Sequence, residues 1–425
     1  MRTISLSVGL LSALAWPTRP AISQQAPRGL TLQEARAAAR RVSPDLAAAQ
    51  AALDAAWARA RQAGALTNPL VSYAYEQTSA GGQRTSQSIA ALEQPLELTG
   101  VRGARRGAAL LRREAAEADL RAAEGLLVFD VTRAYALAEA ADERLALAAR
   151  AATAFERAQR VTVARLAAGD VSGYQARRIG LESARYAALR AEASLARRTA
   201  YLSLASLTGF PADSLMLSGL APPESLPSPL TALSLDSIVA LAVRQRPELL
   251  AAGRQAAAAL ADARAAGRER IPVPIAAAGW KTERAIGGAR LDGFVAGISL
   301  PLPFWDRRGG AVAAADADAR RRAAELDMVR RRVVREAVEA YAAVRAVDEE
   351  LEQLRSALGA EAAAALRAAE SAYLEGEIPL IEWLDAVRAY HEAESIFATL
   401  RADFHVRRAA LERATGGILF EDRQP

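Results

Sequence analysis

The sequence predicts an α+β membrane protein. Duplicated long antiparallel coiled-coil helices form an α-barrel, and two β-hairpins per chain contribute strands to a larger β-barrel. Three observations predict this fold. The chain opens on an export-type segment. An ordered series of residues then recurs at a shift of 203 to 207 positions. Each copy also carries two alternating runs of about ten residues between stretches that read as helix.

Composition narrows the class further. The 425 residues include no cysteine, two histidines, three methionines and 5% aromatics, which excludes a disulfide scaffold and a thiolate metal site. Every basic residue but Lys281 is arginine, and the 54 basic against 49 acidic residues alternate along the chain instead of clustering. A formal charge of +5 spread this way is no nucleic-acid footprint. Much of the 52% hydrophobic content is alanine, which suits long helices whose backbones approach closely better than a thick globular core.

Residues 1–23 read as a signal peptide: Arg2 supplies the positive start, Ile4 to Trp16 the apolar run, and Ala21-Ile22-Ser23 the small residues before cleavage. No later run is long and apolar enough for a membrane-spanning helix. The first structural repeat is placed at 24–209, a Pro-rich linker at 210–232, the second repeat at 233–416 and a C-terminal tail at 417–425. The repeat rests on ordered matches. Leu30-Thr31-Leu32 with Pro44-Asp45-Leu46 recurs as Leu233-Ser234-Leu235 with Pro247-Glu248-Leu249. Gly81-Gly82 recurs as Gly287-Gly288, Gly169 as Gly376, and Thr208-Gly209 as Thr415-Gly416.

Helices are expected near Thr31–Ala63, Ala104–Ala168 and Ser172–Leu207, and again near Leu235–Gly267, Ala311–Glu375 and Pro379–Ala414. No proline interrupts Leu96 to Phe210 or Phe304 to Ile378. Leu127, Val131, Ala134, Ala138, Ala141, Leu145, Ala148, Ala152 and Phe155 alternate spacings of four and three, and Val333, Ala337, Ala340, Val344, Val347, Leu351, Leu354 and Leu358 repeat the rhythm. This is a heptad seam. The longest helix of each repeat would measure roughly 100 Å at about 1.5 Å per residue, so two half-length helices can stack end to end beside it.

The hairpins fall at about 69–95 and 274–301. By periodicity alone they fit membrane strands or ordinary exposed hairpins. The export signal, and their insertion at equivalent places in helical repeats, favour the membrane. Phe294, Ala296, Ile298 and Leu300 then face lipid, with Tyr73, Tyr75 and Trp280 candidates for the interfacial girdles. Four strands cannot close a barrel, and an open edge in hydrocarbon leaves N–H and C=O groups unpaired at several kcal/mol each. A ring of three chains would give twelve strands and twelve helical columns.

This duplicated layout resembles the TolC-type outer-membrane efflux proteins across essentially the whole mature chain. The segments Glu93-Gln94-Pro95-Leu96-Glu97-Leu98-Thr99-Gly100-Val101-Arg102-Gly103 and Leu300-Pro301-Leu302-Pro303-Phe304-Trp305-Asp306-Arg307-Arg308-Gly309-Gly310 are similar to those of the cobalt-zinc-cadmium branch. Val101 stands where that branch commonly has lysine, and Trp305 is bulkier than usual there. The resemblance implies the outer-membrane channel component of a tripartite efflux system. Such a component is a homotrimer in outer-membrane lipid, with its helical tube in the periplasm. It passively conducts substrates, here with heavy-metal cations as the candidate, from an inner-membrane resistance-nodulation-division pump and a periplasmic adaptor to the exterior. It implies no cofactor, no catalysis and no nucleic-acid partner.

By the same resemblance the adaptor contacts the helix-joining turns, namely Leu166, Gly169, Asp170, Val171 and Ser172 in the first repeat and Tyr373, Gly376, Glu377, Ile378 and Pro379 in the second. Plain helix reversals without a partner would need the same glycines. Glu382 and Asp385, three apart on the helix that follows, are the expected pore gate. The first repeat has Gln175 and Arg178 at the corresponding spacing. The alternative is that both acids merely solvate a helix N-terminus, where negative charge is favoured.

Catalytic and metal-binding motifs are broken. Lys281 follows Trp280 and not glycine, so it serves no P-loop, and His391-Glu392 is followed by Ser395 where a zinc protease helix needs its second histidine. His391 and His405 lie two heptads apart, roughly 21 Å by helical rise, and cannot share an ion within one chain. The rival readings are a periplasmic adaptor, which would have one helical hairpin flanked by β-rich segments, and a structural coiled-coil envelope protein, which would need no β-pairs.

Overall fold

The computed structural model describes residues 29–223 and 234–417, the side chains of 357–361 excepted. The expected signal peptide 1–23, residues 224–233 of the expected linker and residues 418–425 of the expected tail lie outside the described residues. In chain order the elements are α1 (Leu32–Val42), α2 (Pro44–Ala63), β1 (Leu70–Ala80), β2 (Gln83–Pro95), α3 (Val101–Ala168) and α4 (Gly173–Thr208). They are followed by α5 (Leu235–Gln245), α6 (Pro247–Arg268), β3 (Ile275–Arg284), β4 (Arg290–Ser299), α7 (Gly309–Glu375) and α8 (Leu380–Thr415).

The helices expected unbroken from Thr31 to Ala63 and from Leu235 to Gly267 are each broken once. Ser43 (φ −66°, ψ 117°) and Arg246 (φ −60°, ψ 118°) are extended. The cause is the proline that follows each, which bars the preceding residue from the α region. Pro44 and Pro247 then serve as first-turn residues of α2 and α6, where their missing N–H costs nothing. Ser43 caps the restart by accepting the Leu46 N–H on its hydroxyl at 3.3 Å. Arg246 has no such hydroxyl and is instead buried between carboxylates, donating to Glu248 at 2.8 Å and to Glu336 on α7 at 2.7 Å.

The 68 residues of α3 and 67 of α7 run without interruption. Each is roughly 100 Å long at about 1.5 Å per residue. Along its length α3 packs on α2 and α6 toward one end and on α4 and α8 toward the other, while α7 packs on α6 and α8. Half-length helices therefore stack beside full-length ones, giving four columns per chain. The seams are narrow because many contact positions are alanine: Ala108, Ala115, Ala118, Ala138 and Ala152 of α3 are buried, with Val131, Tyr135 and Phe155 as larger anchors. In α7 the anchors Val333, Ala337, Val344, Val347 and Leu351 are buried, as the heptad spacing requires.

The hairpins share one antiparallel sheet of order β1-β2-β3-β4. Tyr73 pairs with Ala90, Ala90 with Trp280, and Trp280 with Phe294, so these four share a row and a face. The sheet joins the helices at one end and reaches its turns at the other, where Gly81 and Gly82 take positive φ. Both outer strands, β1 and β4, have one edge without a partner among the described residues.

Where the repeats meet, His405 of α8 shares a small recess with Glu139 and Glu143 of α3 and with Arg401. Burial pushes the His405 imidazole down, Arg408 and Arg401 push it further, and a backbone bond at Ala221 acts the other way, leaving it at about 4. A depressed histidine is neutral in the fold. Its contribution is fully present above the unfolded value near 6.5 and is lost as pH falls from there toward 4, by up to about 3 kcal/mol. Burial raises the carboxyls of Glu139 and Glu143, which favours protonation and offsets part of that loss. The stability difference between the wild type and His405→Gln, measured from pH 7 to 4, isolates the imidazole. It is expected to shrink toward acid at the wild type's expense.

Candidate functional site

Three features at opposite ends of the molecule are candidates for function: the helix tips, an acidic stripe beside them, and the outer face of the sheet. At the tips, α3 ends on Gly169 (φ 85°) and α7 on Gly376 (φ 89°). The left-handed backbone lets the chain reverse while closing the last helical carbonyls: Asp170 N–H donates to Arg165 O at 2.9 Å and Glu377 N–H to Ala372 O at 2.8 Å. In the first repeat Ser172 and Gln175 then form a reciprocal cap on α4. In the second, Pro379 is the extended residue before α8 and not its first helical residue as expected, so α8 starts without a side-chain cap.

Most of the expected tip residues are exposed: Leu166, Gly169, Asp170, Ser172, Gly376, Glu377 and Pro379 are open, while Val171 and Ile378 are half-buried. Tyr373 is a correction. Its ring stacks on Trp383 (centroids 4.9 Å apart, planes 3° apart) and its hydroxyl lies 2.9 Å from the Thr162 hydroxyl, so it is buried within the chain and offers no contact surface. It belongs to a cluster the sequence reading missed, in which α3 gives Phe155, α4 Tyr186, α7 Tyr373 and α8 Trp383. Phe155 stacks on Tyr186 at 4.4 Å and meets Trp383 at 4.8 Å. A signal existed, since seven of the chain's few aromatics, these four among them, fall within about two dozen residues of the tip glycines. Trp383→Ala is expected to cost about 3–5 kcal/mol locally, because it leaves a large void among rings that cannot collapse. Faster limited proteolysis at the tips checks this.

Polar links also tie the two tips. Arg165 of α3 donates to the Leu374 carbonyl of α7 at 2.8 Å, Arg157 pairs with Glu370 at 2.9 Å, and Arg388 of α8 pairs with Glu182 of α4. All three cross between hairpins separated by some two hundred residues of sequence, which is why no local pattern announced them.

Glu382 and Asp385 are exposed on the first turns of α8 and make no ion pair among the described residues, whereas Trp383 and Leu384 between them are fully buried. The helix is thus pinned by its apolar side and presents its acids outward. Glu392 continues the same exposed stripe two turns further on, a third acid that the sequence reading considered only as part of a broken zinc motif. In the first repeat Gln175 and Arg178 are half-buried and Arg178 donates to the Tyr174 hydroxyl at 3.4 Å, so at these matched positions only the second hairpin carries acid.

On the sheet, register puts Tyr73, Tyr75, Trp280, Phe294, Ala296 and Ile298 on one face, all exposed, together with Val71 and Leu92. The opposite face carries Ser72, Glu76, Gln87, Glu93, Lys281 and Glu283 among glycines and alanines, with Ile89, Leu291 and Val295 as larger apolar residues. Leu300 is exposed but lies one residue beyond β4, so it joins the strand's exit and not the strand.

An apolar sheet face above polar-lined strands, carried on helical columns of this length, is the architecture of an outer-membrane channel protomer. The outer membrane efflux protein family model matches residues 35–210 and 238–417, and the chain belongs to that family. It is 28% identical over 330 residues to the cobalt-zinc-cadmium resistance protein CzcC of Cupriavidus metallidurans, covering 73% of this chain and 74% of that one. Among solved structures, a membrane protein from Pseudomonas aeruginosa superposes with a TM-score of 0.75 at 24% identity, over 91% of this chain and 90% of that one. CusC superposes with a TM-score of 0.74 at 18% identity, over 94% and 98%. These two likenesses carry the fold, and the family carries the role of outer-membrane efflux channel component.

Proposed function

We propose that three copies of this chain close into a twelve-stranded barrel over a twelve-column helical tube, which stands in the periplasm and conducts substrates passively. The observation that carries the reading is the four-stranded sheet with two free edges and one apolar face. In hydrocarbon those edges are tolerable only when paired, and a cyclic arrangement of like copies pairs them all. Detergent extracts of outer membranes should give heat-resistant trimer bands. A soluble periplasmic monomer would overturn the reading.

The partners in this proposal are a periplasmic adaptor at the tips and a resistance-nodulation-division pump beneath it. The tip residues are those exposed around Gly169 and Gly376. A Cβ at Gly169 meets nothing within 4 Å, so Gly169→Val strains the backbone without a clash. The local cost is about 1–2 kcal/mol, too little to undo the trimer. Efflux should nevertheless be lost in Gly169→Val while trimer reaches the membrane normally; unchanged efflux would remove the tip from the docking surface.

The substrate class we propose is divalent cobalt, zinc and cadmium, supported by the likeness to CzcC. Selection is assigned to the pump, because among the described residues no group of three His, Cys, Asp or Glu side chains is placed to hold a metal ion. A deletion strain should become sensitive to these ions and regain resistance with the intact gene. Sensitivity to organic toxicants alone would redirect the assignment.

A further inference from the structure

The lipid-facing side of the sheet changes chemistry toward its turns. Beyond the row of Tyr73, Ala90, Trp280 and Phe294 comes a row of Tyr75, Ser88, Thr282 and Asp292, and then one of Gln77, Ser86, Arg284 and Arg290. Arg84, paired with Ser79, stands on the same face two residues further along β2. Three exposed arginines therefore gather at the end of the sheet furthest from the helices.

Arg284 and Arg290 are direct cross-strand partners. Like charges placed directly opposite each other destabilise a sheet unless something neutralises them. Little within the chain can. Asp292 is the only acid among the strand residues of this face, and it already accepts from Thr282 at 2.7 Å and pairs with Arg290 at 3.0 Å. Glu76, Glu93 and Glu283 lie on the other face, where Glu283 pairs with Lys281 at 3.0 Å. Arg84 and Arg284 form no ion pair among the described residues. Further copies closing the barrel bring the same face with the same single acid, so they supply no partner either.

Height decides what lies opposite. From Ile298 to Arg290 is eight residues, about 27 Å along the strand and roughly 20 Å in height at the tilt of a membrane barrel. The apolar band of such barrels is about 25 Å tall, so the arginines stand at its outer border. That is the depth of lipid headgroups and not of bulk water.

We propose that Arg84, Arg284 and Arg290 form a docking surface for the phosphorylated headgroups of outer-leaflet lipid. Guanidinium forks match phosphate oxygens in two-point contacts and keep their charge at any working pH. Threefold symmetry repeats the set around the barrel, so bound lipid ties neighbouring strands at the level where the sheet is least apolar. The proposal rests on the barrel reading above and on the outward facing of this side.

Trimer purified from outer membranes and stripped of lipid is the test sample. It is titrated with lipopolysaccharide, with the same lipid after enzymatic dephosphorylation, and with inorganic phosphate at matched phosphate concentration, while its thermal midpoint is followed. The phosphorylated lipid should raise the midpoint and bind at least about tenfold more tightly than the dephosphorylated form. The triple variant R84Q/R284Q/R290Q should lose that preference. Equal binding of both lipids by the wild type, an unchanged preference in the variant, or equal protection by inorganic phosphate overturns the proposal. Because the chain has no cysteine, Ile298→Cys can carry a single fluorophore whose quenching by brominated acyl chains reads the face separately. Quenching together with an unchanged triple variant defeats the lipid surface alone, whereas absence of quenching defeats the barrel facing and the proposal with it.

Discussion

Ile298→Arg is expected to abolish heat-resistant trimer in the outer membrane, while Gly297→Arg, one residue away, leaves it at wild-type level. The two positions differ in the face they occupy. Ile298 shares its side with Phe294 and Trp280 and is 77% exposed in the single chain, so the proposed barrel turns it to lipid. Gly297 pairs with Ala277 on the opposite side, and a Cβ built on it meets nothing within 4 Å, so an arginine there has room to reach the lumen. A lipid-facing arginine costs about 2–4 kcal/mol at the midplane and less toward either border, and threefold symmetry applies the cost three times, so the trimer loses several kcal/mol, a large share of the stability of many domains. Trimer yield on unheated gels reads the outcome for both variants. If Ile298→Arg assembles and Gly297→Arg does not, lumen and lipid have been exchanged.

The long elements are legible in the sequence because their signals are repetitive. Sixty-odd residues without proline, with apolar positions spaced alternately by four and three, leave little but a long helix, and the structure has α3 and α7 where that pattern runs. The hairpins are legible because alternation and a Gly-Gly turn occur twice at equivalent places. What the sequence hides is local override and distant contact. Pro44 and Pro247 were visible as repeat markers, yet the helical periodicity continues through them, and only the backbone of Ser43 and Arg246 reveals the break. Tyr373 reads as a tip residue by its distance from Gly376, but its side chain turns inward to Trp383, ten residues away across the reversal. The link from Arg165 to the Leu374 carbonyl joins residues 209 apart and has no local signature. The arginine row at the outer rim becomes visible only when strand register places Arg284 opposite Arg290.

Replacing Glu382 and Asp385 together by alanine is expected to weaken cation selectivity and relieve block by divalent ions in single-channel recordings, with the trimer intact. Both acids are exposed and without an ion pair in the chain, directly after the tip where α8 begins, while Trp383 and Leu384 fix the helix from its buried side. In the proposed trimer, three copies of each acid would converge on the tube's narrow end and form two carboxylate rings. Such rings concentrate cations, repel one another when bare, and are relieved by bound divalent ions or by widening of the entrance. The competing account gives both acids only the favourable interaction with a helix N-terminus, worth about 0.3–1 kcal/mol each. That account predicts a slightly less stable helix and an unchanged pore. The two separate cleanly, because a loss of about 2 kcal/mol or less from a helix anchored by the aromatic cluster does not unfold the tip. Glu392, two turns further along the same stripe, supplies the internal control: Glu392→Ala alone should shift selectivity less than the double variant, since in the proposed trimer its ring would lie deeper than the entrance. Identical selectivity and identical divalent block in the double variant would remove the gate and leave the acids as helix-terminal charges.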